Sequence, residues 1–378
     1  MTNHRHNHRR HRKPHNWTFE IIVAVAAAVM VLCAYAGSID PRSFFPAPFL
    51  ALGYMPMLLL VLLGLLLALL WRRWVAVATV VVALMATAPI IRLFMPINTT
   101  DEAPPVPDDP AMMLRVMTYN VLTFNYNEPE LNSVPSATMQ LILDAAPDVV
   151  LLQEGTPRGV EWEEIPSIAP FVKEIKLKYP YCYYGNEGLN IMSKYPFTTL
   201  ALGDAQPERS PLGYNRINSS YLARAFDLQL PSGKQVRLVD FRLQSYHLSF
   251  GKNMSVRVSP DVKPSRLERM RRSFALRGSN AEALREMLDD SPANVIMCGD
   301  MNDITASNVY RIIRGDDMND AWADAGTGYA NTYHRFGLWF RIDHVLYRGA
   351  LQALDARRLK GGSSDHYPLL VTFDLDIK

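Results

Sequence analysis

Asp300 and Asn302 stand two apart, directly after the apolar run Val295-Ile296-Met297-Cys298-Gly299. Such a run, stopped by Gly, reads as a short buried strand, and a carboxylate and an amide released at its end can share one small polar target, a held water and a phosphate oxygen. An Asx turn capping a core strand would use the same two residues, because Asp and Asn bond their own backbone readily. The device recurs, however. Asn120, Glu154, Asp343 and the Asp365-His366 pair each stand where an apolar strand ends or begins. One such residue is ordinary; five strands flanked this way argue for convergence on one rim of a sheet, where sites usually lie.

The residue types select a chemistry. Glu154, Asp300, Asp343 and Asp365 are hard oxygen ligands, suited to Mg2+, Mn2+ or Ca2+. After Ile97 the sequence has no Cys/His cluster of the structural-zinc kind, no Gly-rich phosphate loop and no GxSxG elbow. An acid-rich site with one or two His fits metal-assisted hydrolysis of a phosphoester. There an Asp beside a His orients and charges the imidazole.

The elements that must position these residues follow from patterning. Leu114 to Val121 and Val236 to Leu243 alternate as strands should, and Val149–Leu152, Asn190–Ser193, Val295–Cys298, Ile342–Tyr347 and Leu369–Leu375 are further strands. Ser136 to Ala146 has helical spacing closed by Pro147. Ser265 to Leu288 carries a second helical face, with an interruption expected at Gly278. Mixed spacing of this kind predicts an α/β (α+β) sandwich, helices outside the sheets.

The 378 residues are 49% hydrophobic, but the long apolar runs lie before Ile97. Phe19–Ala36, Phe49–Leu70 and Val75–Ile91 predict about three transmembrane helices (about 19–36, 49–71 and 75–92) within a membrane region 17–96. A cleaved signal peptide is the rival for the first segment, though further apolar segments follow at once. Residues 1–16 interleave five His with five Arg or Lys, and Arg72-Arg73 sit between Trp71 and Trp74. By the positive-inside rule both belong in the cytoplasm. The chain is then a multi-pass protein of the plasma (inner) membrane with everything after Pro96 outside the cytoplasm. The tail reads as a solvated orienting segment, or else as a metal-binding tract. Residues 97–112, acidic and Pro-rich, are a semi-extended linker. The net charge of +2 is concentrated in the tail, so the 113–378 domain is close to neutral and no basic duplex-binding surface is expected on the scale of the whole domain. The arginines at 266, 269, 271 and 272 offer a local groove or simply a solvated helix face. Three cysteines, Cys33, Cys182 and Cys298, give no disulfide framework, although a Cys182–Cys298 bridge is formally possible.

Six stretches, in order, resemble the endonuclease/exonuclease/phosphatase superfamily of deoxyribonucleases, abasic-site endonucleases, neutral sphingomyelinases and inositol-polyphosphate phosphatases. They are Met117–Val121, Pro147–Glu154, Asn190–Pro196, Gly299–Asp303, Arg341–Leu346 and Ser364–Pro368. The resemblance implies a four-layer α/β/β/α sandwich over residues 113–378 with a divalent-metal site at one end. In family terms Glu154 is the main metal ligand, helped by Asn120, with Asp365 near the metal. Asp300 orients or deprotonates the attacking water, Asn302 bonds a phosphate oxygen, and Asp343 orients His366 against the phosphate. His344 and Gln153 read as structural or supporting. One departure stands out: where the family has Asn-x-His-Leu, this chain reads Asp240-Phe241-Arg242-Leu243. Arg242 can clamp phosphate but cannot donate a proton near neutral pH, and His247 is the nearest imidazole along the chain.

Two function classes remain. One is a membrane-anchored phosphodiesterase or nuclease whose substrate is a lipid headgroup, a small phosphorylated molecule or nucleic acid. The other is a non-catalytic phosphate- or nucleic-acid-binding member of the same fold.

Overall fold

The computed structural model describes residues 16–98, 112–157, 159–185, 188–200, 223–245, 265–289, 291–335 and 340–375. Among these residues twelve strands form two six-stranded sheets. The first has the order β11-β12-β1-β2-β4-β3, built from β1 (Met113–Asn120), β2 (Val149–Gln153), β3 (Tyr181–Tyr184), β4 (Asn190–Ser193), β11 (Gln352–Arg358) and β12 (Leu369–Asp374). The second has the order β5-β6-β7-β8-β10-β9, from β5 (Phe197–Leu200), β6 (Ala223–Gln229), β7 (Gln235–Arg242), β8 (Val295–Asp300), β9 (Asn319–Asp320) and β10 (Asp343–Arg348). Each sheet has one parallel pair, β1–β2 and β7–β8, and antiparallel neighbours elsewhere. Among the described residues there are ten α-helices: α1 (Thr18–Tyr35), α2 (Ala47–Leu52), α3 (Tyr54–Leu70), α4 (Trp74–Phe94), α5 (Pro129–Asn132), α6 (Ala137–Ala145), α7 (Val172–Lys178), α8 (Arg266–Asp289), α9 (Asn308–Arg314) and α10 (Ala321–Ala325).

The continuous apolar runs of β2 and β8 have a direct cause: both of their faces are buried. Val149 and Leu151 meet Ile296, Cys298 and Val345 of the opposite sheet. Val150 and Leu152 face outward onto Met139, Ile142 and Leu143 of α6. Val295 and Met297 likewise face Leu284 and Leu288 of α8 and Ile313 of α9. The layers are therefore helix, sheet, sheet, helix. Ser136 caps α6, accepting the Met139 N–H on its hydroxyl. α8 runs without the interruption expected at Gly278, since a glycine inside a helix costs only about 1 kcal/mol relative to alanine. All three cysteines are free, so the formal Cys182–Cys298 bridge is not made.

The N-terminal region departs from the expectation of about three spans. Two helices, Thr18–Ser38 and Trp74–Phe94, are long and apolar enough to cross a bilayer. The middle segment expected at 49–71 is broken at Gly53 into α2 and the 17-residue α3. Pro56 explains the restart. It lacks an N–H, and only in the first turn of a helix is that donor not required. α1, α3 and α4 pack through Val23, Ala27, Met30, Leu58, Val61, Ala76, Val80 and Ala83 and leave Leu and Val side chains exposed on their other faces.

Gly299 sets the spacing of β7 and β8 at the end where Asp300 emerges. A Cβ there would lie 1.9 Å from the Phe241 carbonyl oxygen, an approach only glycine permits. Gly299→Ala is expected to destabilise the domain by about 3 kcal/mol or more. A thermal melt followed by tryptophan fluorescence measures it, and an unchanged midpoint would contradict this packing argument.

Candidate active site

Strand register brings three residues into one row. Asp300 lies opposite Arg242 on the parallel strand β7 and opposite Asp343 on the antiparallel strand β10. The facing sheet contributes Asn120, the last residue of β1, and Glu154, which follows β2. One amide ties the two sheets together: Asn120 Nδ2 donates to Asp300 Oδ2 at 3.0 Å and to Glu154 Oε1 at 3.2 Å. Asn302 donates its backbone N–H to Asp300 Oδ1 at 2.8 Å, and its Nδ2 to Asp300 Oδ2 and to the Leu243 carbonyl, both at 3.0 Å. The Asx turn and the candidate site are thus the same structure, since the turn is what aims the Asp300 carboxylate. Glu154 (φ 48°) and Asn302 (φ 49°) both sit in the left-handed region, at a cost on the order of 1 kcal/mol or more each, a kind of strain that clusters at functional sites.

His366 enters from the segment before β12. Its Nδ1 lies 2.8 Å from Asp343 Oδ2, and its backbone N–H bonds Ser364 Oγ at 3.1 Å. Ser364 in turn donates to the Asn120 carbonyl at 2.7 Å, joining the His366 segment to β1. Burial alone would push this imidazole down. The charge of Asp343 and its hydrogen bond, with Asp300 and Asp365 behind, instead raise it from 6.5 to about 10. Burial and the neighbouring Asp343 push Asp300 up to about 6, against the pull of His366 and Arg242. His344 has the opposite fate: fully buried and close to Arg341, it falls to about 3 and is neutral. With Nε2 3.2 Å from the Asp303 carbonyl, it is part of the support. Gln153 is equally buried and donates to Asp240 at 2.5 Å.

The residues expected at a metal do not all meet. Among the described residues, Asp300, Asp343 and His366 offer ligand atoms within 4.8 Å of one another. Glu154 is instead ion-paired with Arg242 at 2.5 Å, and Asp365 with Arg335 at 3.3 Å. The donor set still fits a hard divalent cation. Carboxylates cluster at the strand ends, and Asp343 Oδ1 is buried with no hydrogen-bond partner. Three further residues escape sequence reasoning. Thr332 Oγ1 accepts the N–H groups of Ile342 and Asp343 at 3.0 Å each, and Tyr333 sets its ring edge-on 5.1 Å from His366. Arg335 holds Asp365. All three lie in a loop with no periodic signal. His247 and the side chain of Arg266 fall outside the described residues, while Arg272 pairs with Glu268 along the helix face.

The His366–Asp343 pair has a definite pH signature in chelator-treated protein. Because the folded pKa is raised, the pair's contribution to stability is fully present below about 6.5 and is lost as pH rises through about 10. Imidazole 15N NMR should show His366 charged at pH 8 and titrating far above the other histidines. In Asp343→Asn its titration should fall below 7, and a wild-type midpoint near 6.5 would refute the pairing.

A family model described as the endonuclease/exonuclease/phosphatase family matches residues 117–366, about two thirds of the chain. Another, described as a domain of unknown function, matches residues 16–93. No sequence among curated proteins matches the chain. Among solved structures, an endonuclease/exonuclease/phosphatase from Bacteroides vulgatus is similar at 16% identity, covering 70% of this chain and 99% of that one, with a TM-score of 0.47. The human Nocturnin catalytic domain with bound sulfate is similar at 18% identity, with coverages of 69% and 94% and a TM-score of 0.44. Humanized D. rerio TDP2 is similar at 16%, with coverages of 69% and 99% and a TM-score of 0.45. With the family match spanning every strand-end residue from Asn120 to His366, the chain belongs to the endonuclease/exonuclease/phosphatase family.

Proposed function

We propose that this chain is a membrane-anchored, divalent-metal-dependent phosphoesterase of the phosphodiesterase or nuclease type, acting outside the cytoplasm. The observation that carries the reading is the buried Asp300–Asp343–His366 cluster, with amide and guanidinium donors around it. Glu154, Asn120 and Asp365 are the groups we assign to the cation, Mg2+ or Mn2+ (or Ca2+), and the unpartnered Asp343 Oδ1 is a further oxygen. A bound cation supplies charge neutralisation at the phosphate and an acidified water.

The chain's own residues do the rest. Asp300, poised at about 6, accepts the proton of the attacking water as its oxygen bonds to phosphorus. Asn302, steered by the Asx turn, bonds a phosphate oxygen. His366, held charged by Asp343, stabilises the growing negative charge. Arg242, whose buried Nε has no protein acceptor, clamps the phosphate as the bond to the leaving oxygen breaks, and that oxygen takes its proton from solvent.

Anchoring by the apolar helices, with residues 1–16 and Arg72/Arg73 in the cytoplasm, is supported by where the bundle's ends lie. Arg73 bonds the Asn16 carbonyl at 3.3 Å and Glu20 at 3.2 Å at one end. The turn after α1 and the end of α4 meet the family domain at the other. The Arg242–Glu154 ion pair favours a second reading, a non-catalytic phosphate-binding member, because it occupies the acid assigned to the metal.

The full chain in lipid nanodiscs, assayed with Mn2+ or Mg2+ on a generic phosphodiester and on DNA, separates the two. The enzyme reading expects turnover that chelation abolishes and that Asp300→Asn or His366→Gln lowers by roughly 100-fold or more. Intact folding without turnover of any phosphoester would leave only the binding module.

A further inference from the structure

The helix bundle and the candidate site share residues. Ile304 and Ala306 lie within four positions of Asn302, and Ile342 immediately precedes Asp343. All three are buried in the apolar cluster built by α1, α3 and α4. Tyr333 and Phe340 pack against the same cluster, and it is the Tyr333 ring that meets His366. One layer of side chains separates the imidazole from the bundle.

The contact is close and many-sided. A Cβ on Gly37, in the turn after α1, would lie 2.3 Å from the Ala306 carbonyl oxygen, and Asn308 Nδ2 donates to the Gly37 carbonyl at 3.0 Å. Arg42 forks onto Glu282 of α8, while Phe45 and Phe49 set their rings against Phe274. At the end of α4, Arg341 donates to the Leu93 carbonyl at 3.1 Å, and beyond the helix Asn98 donates to the Gly326 carbonyl at 2.7 Å. The domain is therefore seated on the bundle with its site end down. Around the seat, Ile39, Phe44, Phe49, Met95 and Ile97 are exposed. With the helices in a bilayer, this apolar collar falls at the boundary where lipid headgroups lie.

We propose that the substrate is the phosphoester of an amphiphile, a phospholipid in the leaflet next to the domain; this rests on the phosphoesterase and membrane-anchor readings above. A headgroup phosphate reaches the site from within the membrane surface, at the high local concentration that surface confinement gives. A nucleic acid needs a run of cations along its backbone. Among the described residues, the arginines paired with site acids are Arg242, engaged by Glu154, and Arg335, engaged by Asp365. The reaction balances as ordinary hydrolysis. The water oxygen bonds to phosphorus, its proton passes to Asp300, the bond from phosphorus to the leaving oxygen breaks, and that oxygen takes a proton from solvent.

The test reconstitutes the full chain with Mn2+ in vesicles of phosphatidylethanolamine, phosphatidylglycerol, phosphatidylinositol and sphingomyelin, read by 31P NMR. In parallel it receives the water-soluble dihexanoyl counterparts and a single-stranded oligonucleotide. At equal bulk phosphorus, at least one long-chain lipid should turn over about 10-fold faster than its dihexanoyl counterpart. Phe44→Asp, in the collar and outside the catalytic groups, should lower vesicle turnover while leaving the soluble ester's rate unchanged. If the oligonucleotide or the short-chain esters are cleaved as fast as the vesicle lipids, the lipid assignment is overturned and the phosphoesterase reading stands. If none of the three is cleaved, both fall.

Discussion

Two carboxylates and an imidazole buried together at the strand ends are the constraint on which this domain depends. A lone buried carboxylate is expensive, and it is tolerated only when charge and hydrogen bonds compensate it. Here the compensation is assembled from both sheets. Asp300 and Asp343 come from neighbouring strands of one, the Asn120 amide from the other, and His366 from the segment leading into β12. Closing the sandwich and compensating the charges are therefore one event. The same closeness raises His366 and lifts Asp300 toward neutrality, so the feature that costs stability also perturbs both groups in the way functional sites commonly do.

The helices before Ile97 extend that constraint into a second apolar cluster. Arg341 shows how. It is fully buried, ion-paired with Asp320 at 2.7 Å, bonded to Thr305, and it also takes the Leu93 carbonyl at the end of α4. It precedes Asp343 by two positions. On the other flank Arg277 of α8 reaches Asp303 at 3.2 Å and the Gln244 carbonyl at 3.1 Å. The loops that carry the site are thus clamped between the sandwich and the bundle. β1 begins at Met113, at the end of the strand away from the site.

Much of this was readable because burial on both faces writes a continuous apolar run, as in Val149–Leu152 and Val295–Cys298, and because a turn residue must follow where such a strand stops. β3, β5, β6, β9 and β11 escaped for the converse reason. They are short or irregular, with patterns such as Ala225 and Phe226 buried side by side, so neither alternation nor a long run marks them. Pairing between distant residues carries no local signal at all. Nothing near Arg242 announces that it will meet Glu154 from the opposite sheet, or near Tyr333 that it will cover His366. The break at Gly53 was missed because hydropathy is blind to a proline placed where a helix can begin. The sequence marks Arg242 by its departure from the Asn-x-His-Leu pattern, but carries no sign that Glu154 is its partner.

The most direct test of the account is hydrolysis in 18O-labelled water, with the products analysed by 31P NMR and mass spectrometry. Attack by water at phosphorus predicts one 18O in the phosphorus-containing product and none in the released alcohol, with no reaction once the divalent cation is chelated. Label in the alcohol, or turnover indifferent to chelation, would contradict the account.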